Sequence, residues 1–274
     1  MSISDCLNRV KDVAPLIHSI TNYVTMHDVA NVILACGGKP IMSSDIHEVE
    51  DVTSICSGLN LNVGTLNSNS IEAMVLAGRK SNSLNHPVVL DMVGMGSSRY
   101  RTNTVMNLID AIKFSVVKGN LSEVKAMALG TMNTSGVDAN RKDAITPESL
   151  DYYVTVIERL ATKLNTIVVV TGAIDLVSNG KECYVVRNGT EAMGRVTGIG
   201  CQLSGVISSY ISANLENQLQ ATASAVALMG LAGEVAWSNM LPNDGNATYG
   251  NRIIDAIYNI DGDTLREGAN YDVR

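Results

Sequence analysis

Short aliphatic runs alternate with stretches of helical periodicity along most of the chain. Valine, isoleucine and leucine dominate these runs, which is typical of strands that are buried on both faces. The predicted strands are Pro40–Met42, Leu59–Val63, Val88–Leu90, Phe114–Val117 and Ile167–Val170. The helices predicted among them are His27–Ala35, Glu48–Ser57, Ser70–Ser81 and Glu148–Leu164. This alternation favours an α/β fold, in which helices cover both faces of a central, mostly parallel sheet.

Local signals mark where some of these elements begin and end. Thr146 is placed to cap the helix that follows Pro147, and proline is favoured at a first helical position. Asn179-Gly180 predicts a hairpin turn between two further apolar runs. The rest is predicted to be mainly helical, over Gly200–Ala213, Gln218–Ser238 and Tyr249–Tyr258.

Nothing along the chain marks a domain boundary. No low-complexity linker interrupts the alternation, so residues 1–274 are expected to form a single domain. The tail 261–274 is polar. Such a tail fits either a disordered end or a segment that covers a neighbouring subunit.

The composition excludes several classes of partner. The net charge is −7 without a block of like charges, which argues against nucleic acid and anionic membranes. Five cysteines are scattered without a Cys-x-x-Cys pair. This usage argues against a disulfide framework and favours a reducing, cytoplasmic location. The apolar stretch Ala221–Trp237 carries Ser224 and Glu234, so it predicts a buried helix and not a membrane span.

Polar residues follow three of the predicted strands. Because the carboxyl ends of parallel strands meet at one edge of a sheet, these residues are expected to lie together there. They are Asp91, Lys118, Asn120, Glu123 and Thr171. Two carboxylates and a cation at one edge suit Mg²⁺ and a polyphosphate. The alternative is that each residue only caps a helix.

The segment 196–205 contains two glycines at the predicted start of a helix. Gly198 and Gly200 allow successive backbone N–H groups to point into one cavity, which would attract an anion. Cys201, in the first turn, is expected to have a lowered pKa. The alternative is that this thiol is a small buried hydrophobe. Neither common nucleotide loop is present, because no Walker pattern occurs and Arg99 stands where a third glycine would complete Gly94-x-Gly96.

Two residues near the N-terminus are further candidates. Asn22 precedes a predicted helix, and Met42 ends a predicted strand. Asn22 also suits a turn and Met42 a core position. A methionine at the carboxyl end of a strand would nonetheless offer an apolar wall to a heteroaromatic ring. The four histidines show no metal-ligand spacing.

Taken in order, these segments resemble hydroxyethylthiazole kinase, a branch of the ribokinase-like superfamily. The resemblance covers roughly residues 16–260 and implies a three-layer αβα fold. The matching stretches are 20–25 with Ala30-Asn31, 38–43, 62–66, 90–91, 93–96, Gly119-Asn120 with Ser122-Glu123, Thr171-Gly172, 196–201 and 244–258.

The resemblance also implies an activity and a set of roles. The reaction would be ATP-dependent phosphorylation of the primary hydroxyl of 4-methyl-5-(2-hydroxyethyl)thiazole in thiamin salvage, in a homotrimer with active sites between subunits. The implied roles are thiazole contact for Met42 and Gly198, a position near the substrate hydroxyl for Asn22, organisation of Mg²⁺ for Asp91 and Glu123, nucleotide contact for Lys118, Asn120 and Thr171, and catalysis for Cys201 with Asp91.

Some positions depart from the family pattern and leave two alternatives open. Lys118 stands where arginine is usual, Met92 where proline is usual, and Ile199 where threonine is usual. These changes motivate a catalytically weak homologue that binds thiazole or nucleotide. A nucleotide-dependent dehydratase of hydrated NAD(P)H is the other alternative. It would carry aspartate where Cys201 stands.

Overall fold

The computed structural model describes residues 2–129 and 144–274. Within these residues, nine strands form one sheet of order β2-β1-β3-β4-β5-β6-β7-β8-β9. The strands are β1 Leu16–Ile20, β2 Lys39–Met42, β3 Gly58–Asn62, β4 Val88–Asp91, β5 Val116–Asn120, β6 Ile167–Thr171, β7 Asp175–Ser178, β8 Cys183–Val186 and β9 Tyr271–Val273.

The sheet is parallel from β2 through β6 and antiparallel from β6 to β9. The predicted mostly parallel sheet is therefore confirmed. The Asn179-Gly180 turn joins β7 to β8 as predicted, with Gly180 at φ 88°. That left-handed conformation is one that glycine adopts at little cost.

Helices cover both faces of the sheet and complete the three-layer αβα architecture. They are α1 Ile3–Val13, α2 Met26–Ala35, α3 Val49–Ile55, α4 Ser68–Ser83, α5 Arg99–Ala111, α6 Leu121–Leu129, α7 Leu150–Leu164, α8 Ile199–Ala213, α9 Gln218–Ser238, α10 Asn246–Asn259 and α11 Gly262–Gly268.

Alternate residues of the central strands enter opposite layers of the core. Val89 packs with α1, α8, α9 and α10, whereas Val88 and Leu90 pack with the helices of the other face. Val168 and Val169 divide in the same way. This period-two division explains why the strands are aliphatic throughout, since both of their faces are buried.

Two expectations about the ends of elements are wrong. The helix predicted from Glu148 begins at Leu150, and its N-cap is Ser149 instead of Thr146. Of the two alternatives for the tail, disorder is wrong, because α11 packs on α1 and β9 pairs with β8. Tyr271 also stacks on Tyr184, with ring centroids 5.7 Å apart.

The long apolar helix α9 belongs to the core. Among the described residues, the segment Leu215–Ser238 alone is long and apolar enough to cross a membrane, and 78% of its most apolar window is buried inside the protein. It packs against α8, α10 and α1, as expected for a buried core helix.

Candidate active site

The register of the parallel strands aligns polar residues at the carboxyl edge of the sheet. Asn62 of β3 lies beside Asp91 of β4, and Asp91 lies beside Lys118 of β5. Asn120, two residues further along β5, pairs with Thr171 of β6. The structure therefore brings the strand-end residues together, because each strand ends at nearly the same level.

Asp91 and Lys118 form a buried ion pair at the centre of this edge. Their charged atoms are 2.9 Å apart, and the side chains are only 1% and 3% exposed. Burial raises the pKa of the Asp91 carboxyl, and the nearby ammonium opposes that rise. Burial alone would lower the pKa of Lys118, but the attraction of Asp91 outweighs it and raises this pKa. Lys118 is thus an anchored cation.

Glu123, in the first turn of α6, is held by backbone amides. The N–H of Gly94 donates to one carboxylate oxygen at 2.6 Å, and that of Asn120 donates to the other at 2.7 Å. Burial and the neighbouring Asp91 raise the pKa of Glu123 to about 7, although both amides oppose the rise. This carboxylate therefore ties the loop after β4 to the end of β5.

The start of α8 lies over this polar edge. Gly198, the N-cap, has φ 82°, and a Cβ there would lie 2.3 Å from Cγ2 of Thr25. Glycine is required at this position both by the left-handed backbone and by the close approach of α2. A Cβ on Gly200 would lie 3.5 Å from the Nζ of Lys118, so the helix start faces the buried cation.

Cys201 is buried in the first turn of α8, with 8% of its surface exposed. The Nδ2 of Asn22 donates to its Sγ at 3.2 Å. Burial and the charge of Asp91 raise the pKa of Cys201, and Lys118 opposes them. The expectation of a lowered pKa is wrong, because burial and Asp91 outweigh Lys118 and the hydrogen-bond donors around the sulfur.

An apolar wall adjoins the thiol. Met42 and Val93 are partly buried and pack with Cys201 on the side chains of β1 and α2. Asn22 lies two residues after the end of β1, so the amide, the thiol and the methionine come from three different parts of the fold. This small cluster is separate from the two large core layers, and it offers both apolar surface and hydrogen-bonding groups.

Asn120 and Thr171 lie at the carboxyl ends of β5 and β6, on the side of the site away from β4. The Thr171 hydroxyl donates to the carbonyl of Gly119 at 3.5 Å, and both side chains are partly exposed. The N–H of the next residue, Gly172, donates to Asp175 at 2.8 Å. The loop after β6 is therefore anchored while its polar groups remain accessible.

The structure adds site residues that sequence reasoning missed. Asn62 and Thr25 bond to Asn22 inside the site. Arg101 of α5 donates to the carbonyl oxygens of Val63, of Val93 at 2.9 Å and of Gly64 at 3.1 Å, so it holds the ends of β3 and β4 together. The sequence does carry a signal for Asn62, because an asparagine at the end of a run predicted to be a buried strand is unusual. The spacing of Arg101 carries no comparable signal.

The carboxylates suit a magnesium ion held through water. All four oxygens of Asp91 and Glu123 accept a hydrogen bond from Lys118, Asn62, Gly94 or Asn120. Each carboxylate oxygen has a second lone pair, which can accept from a metal-bound water. Among residues 2–129 and 144–274, no cluster of three or more His, Cys, Asp or Glu side chains could coordinate a metal directly.

Comparison with known proteins identifies the family. Residues 7–263 match the model of the hydroxyethylthiazole kinase family. This chain belongs to that family. A hydroxyethylthiazole kinase of Clostridium acetobutylicum is 47% identical over 270 residues, which cover 98% of this chain and 99% of that protein. The Clostridium tetani hydroxyethylthiazole kinase is 44% identical, over 97% of this chain and 95% of its own length.

Solved structures extend the family likeness to the fold. The hydroxyethylthiazole kinase structure from Pyrococcus horikoshii is 31% identical, with a TM-score of 0.87, over 99% of this chain and 98% of that one. A pyridoxal kinase from Staphylococcus aureus is 16% identical, with a TM-score of 0.62, over 95% and 98% of the two chains. The latter likeness concerns the fold alone, which is the ribokinase-like αβα architecture.

Proposed function

We propose that this protein transfers the γ-phosphoryl group of ATP to the primary hydroxyl of 4-methyl-5-(2-hydroxyethyl)thiazole. The observation that supports this most is that the candidate site lies in a chain that matches hydroxyethylthiazole kinases over nearly its full length. A thiol and an amide adjoin an apolar wall on one side, and an anchored cation faces a helix start on the other.

The reaction would be an in-line displacement. The hydroxyl oxygen forms a bond to the γ-phosphorus while the bond between that phosphorus and the β,γ-bridging oxygen breaks, and ADP leaves. The hydroxyl proton passes to Cys201 in its thiolate form, or to water. Because the transition state is loose, positioning and charge stabilisation carry most of the catalysis and little base strength is needed.

The candidate residues divide between the thiazole on one side of the reacting phosphorus and the nucleotide on the other. Met42 and Gly198 contact the thiazole, and Asn22 lies beside its hydroxyl. Lys118, Asn120 and Thr171 bind the nucleotide, and the amides at the start of α8 stabilise the developing charge. Lys118 acts as a point charge, since it has no bidentate fork and is already bonded to Asp91.

Mg²⁺ belongs to this proposal as the cofactor, organised by Asp91 and Glu123. When bound, it would neutralise charge on the phosphate oxygens of ATP. Both carboxylates are buried and held in place by backbone or side-chain donors. They can therefore orient metal-bound waters without rearrangement.

The deciding experiment is ADP release from Mg-ATP in the presence of the thiazole alcohol. A reaction without acceptor and one with a pyrimidine alcohol are the controls. Thiazole-dependent ADP release supports the kinase. Saturable thiazole binding without release would instead favour the weak homologue, whose motivating residues are Lys118, Met92 and Ile199. The relatives' names give no support to that homologue or to a dehydratase.

The same proposal includes the assembly and its location. The chain would act as one domain in a cytoplasmic homotrimer, with active sites between subunits and no membrane or nucleic-acid partner. Tyr23 and Val24 support an interface at the site, because they follow Asn22 and are 72% and 64% exposed. Light scattering on the purified protein measures the oligomer directly.

A further inference from the structure

A continuous chain of hydrogen bonds links the buried ion pair to the thiol. Lys118 donates to one oxygen of Asp91 at 2.9 Å, and the Nδ2 of Asn62 donates to the other, also at 2.9 Å. The Oδ1 of Asn62 accepts from the Nδ2 of Asn22 at 3.1 Å. That same Nδ2 donates to the Sγ of Cys201 at 3.2 Å. Asn62 is the central member, and it is 1% exposed.

Two backbone amides determine the direction of this chain. The N–H of Gly64 lies 2.9 Å from Oδ1 of Asn62, and the N–H of Thr25 lies 3.1 Å from Oδ1 of Asn22. A backbone N–H can only donate, so each side-chain oxygen must face it. Each Nδ2 group then has to face the other way, toward Asp91 in one case and toward Cys201 in the other. The Sγ atom therefore accepts a hydrogen bond.

We propose that Asn62 is a positioning residue for phosphoryl transfer. Thr25 orients the amide of Asn22, and Asn62 accepts from the Nδ2 of that amide and so holds it beside Cys201, which keeps the sulfur a hydrogen-bond acceptor. The inference rests on the proposed function for its role in turnover, but its structural part does not. Asn62 touches neither the thiazole nor the nucleotide in this scheme. It acts through the amide of Asn22, to which it is hydrogen-bonded.

Holding the sulfur as an acceptor favours its thiolate form. The charged groups that face Cys201 are Asp91, which disfavours a thiolate, and Lys118, which favours one. Asn62 and Thr25 also lower the pKa of Cys201 against the effect of burial. A hydrogen bond from a neutral amide therefore matters at this position, because the two buried charges oppose each other.

The test is the pH dependence of alkylation of Cys201 by iodoacetamide in the full-length protein, with mass spectrometry to locate the adduct. Asn62→Leu removes both polar groups, and we expect the midpoint of the rate profile to rise by about one pH unit. Asn60→Leu is the matched control. Asn60 lies two residues earlier on β3, is equally buried and donates to Ser19, so its substitution should leave the midpoint unchanged.

Asn62→Ser provides a second variant if the leucine variant does not fold, and the same rise is expected. An unchanged midpoint in a folded Asn62 variant overturns the proposal. So does an equal rise in Asn60→Leu. The readout needs no turnover, so absence of kinase activity in the wild type would refute the proposed function and leave this inference to be decided by the alkylation profile.

Steady-state kinetics then test the route through the thiol. We expect Asn62→Leu to lower kcat about tenfold and to change KM for ATP by less than about threefold. In a Cys201→Ala background, Asn62→Leu should lower kcat less than about threefold, because the thiol through which Asn62 acts is absent. A full tenfold loss in that background would show that Asn62 does not act through Cys201.

Discussion

At the scale of single residues, the buried charge of Asp91 is expected to contribute more to the proposed catalysis than proton transfer to Cys201. Asp91 has a charged partner 2.9 Å away and is 1% exposed, so it cannot be neutralised without leaving Lys118 as an unpaired buried cation. Cys201 has only a neutral donor directly on its sulfur. The carboxylate is therefore expected to matter more than the thiol.

This inequality predicts the order of two substitutions. Asp91→Asn should lower kcat about 100- to 1,000-fold, because its new amide would face the amide of Asn62 and Lys118 would lose its counter-charge. Cys201→Ala should lower kcat only about 10- to 100-fold and keep the fold. Steady-state kinetics on both variants measure the order. Asp263→Asn, 76% exposed, is the control, and near-normal turnover of Asp91→Asn would contradict the prediction.

A second residue-scale prediction concerns acid stability. His18 is fully buried, its Nε2 donates to the carbonyl of Ser43 at 3.0 Å, and burial lowers its pKa below the ordinary value of 6.5. The unfolded chain binds this proton more readily than the folded one. The contribution of His18 to the free energy of unfolding should therefore be complete above pH 6.5. It should decrease as the pH falls below 6.5, by up to about 1.4 kcal/mol per pH unit.

His18→Gln tests that source of acid sensitivity. Glutamine keeps a donor near Ser43 but does not titrate, so the dependence of the unfolding free energy on pH below 6.5 should weaken. Urea unfolding at several pH values measures it. The control is His27→Gln, since the His27 side chain is 89% exposed. An equal slope in wild type and His18→Gln would remove His18 as the cause.

At the scale of elements, the start of α8 is the most constrained feature of the site. It meets α2 at Gly198, where the backbone is left-handed and Thr25 leaves no room for a Cβ. Thr25 also bonds to Asn22 through its hydroxyl at 3.1 Å. A change at either residue therefore reaches both the helix start and the amide beside Cys201.

Gly198→Ala should lower kcat/KM at least about tenfold, because the Cβ displaces α8 from Thr25 and misplaces the amides at its start. Thr25→Ser should restore part of the loss, since it removes the clashing Cγ2 and keeps the hydroxyl. Kinetics of the single and double variants measure this. Gly194→Ala is the control, because a Cβ there meets nothing within 4 Å. No loss in Gly198→Ala would mean that the helix start tolerates displacement.

The success of prediction from sequence differed between elements for physical reasons. Aliphatic strands such as β4 and β6, and the long helix α9, were predicted nearly to the residue, because burial on all sides leaves a continuous apolar signal. Strand β1 was missed because His18 and Ser19 lie inside it, buried but polar. Helix α5 was missed because Thr102 and Thr104 on its buried face are polar, and helix α6 because Ser122 and Glu123 in its first turn are polar although buried.

The candidate site was predictable only where topology decides position. Asp91 and Lys118 could be placed together, because parallel strands end at one edge. The chain through Asn62 and Asn22 could not, since it depends on side-chain orientations set by two backbone amides. The pKa of Cys201 was predicted in the wrong direction, because sequence shows the helix start but not the depth of burial.

At the scale of the whole molecule, the C-terminal tail completes the sheet. Strand β9 covers β8, with backbone bonds between Cys183 and Arg274 at 2.9 Å in both directions. Arg274 also pairs with Asp151 at the surface. Without β9, the edge of β8 would be open to other chains, which is a known route to aggregation.

Ending the chain at Gly268 should lower Tm by several degrees and cause association that increases with protein concentration. The reasons are the lost backbone bonds of β9 and the lost stacking of Tyr271 on Tyr184. Thermal melts and light scattering at several concentrations measure both effects. Arg274→Ala in the full chain is the control and should cost less than about 1 kcal/mol, as for other surface ion pairs. A truncated protein with wild-type Tm and no association would show that β9 is dispensable.

The contact between Asn22 and Cys201 joins residues 179 positions apart. During synthesis on the ribosome, strands β1 to β6 emerge before α8, so the carboxyl edge of the sheet is incomplete until α8 is added. A nascent chain that stops before residue 201 lacks the thiol. Completion of the site therefore depends on a contact of very high sequence separation, and contacts of that kind are slow to form in folding.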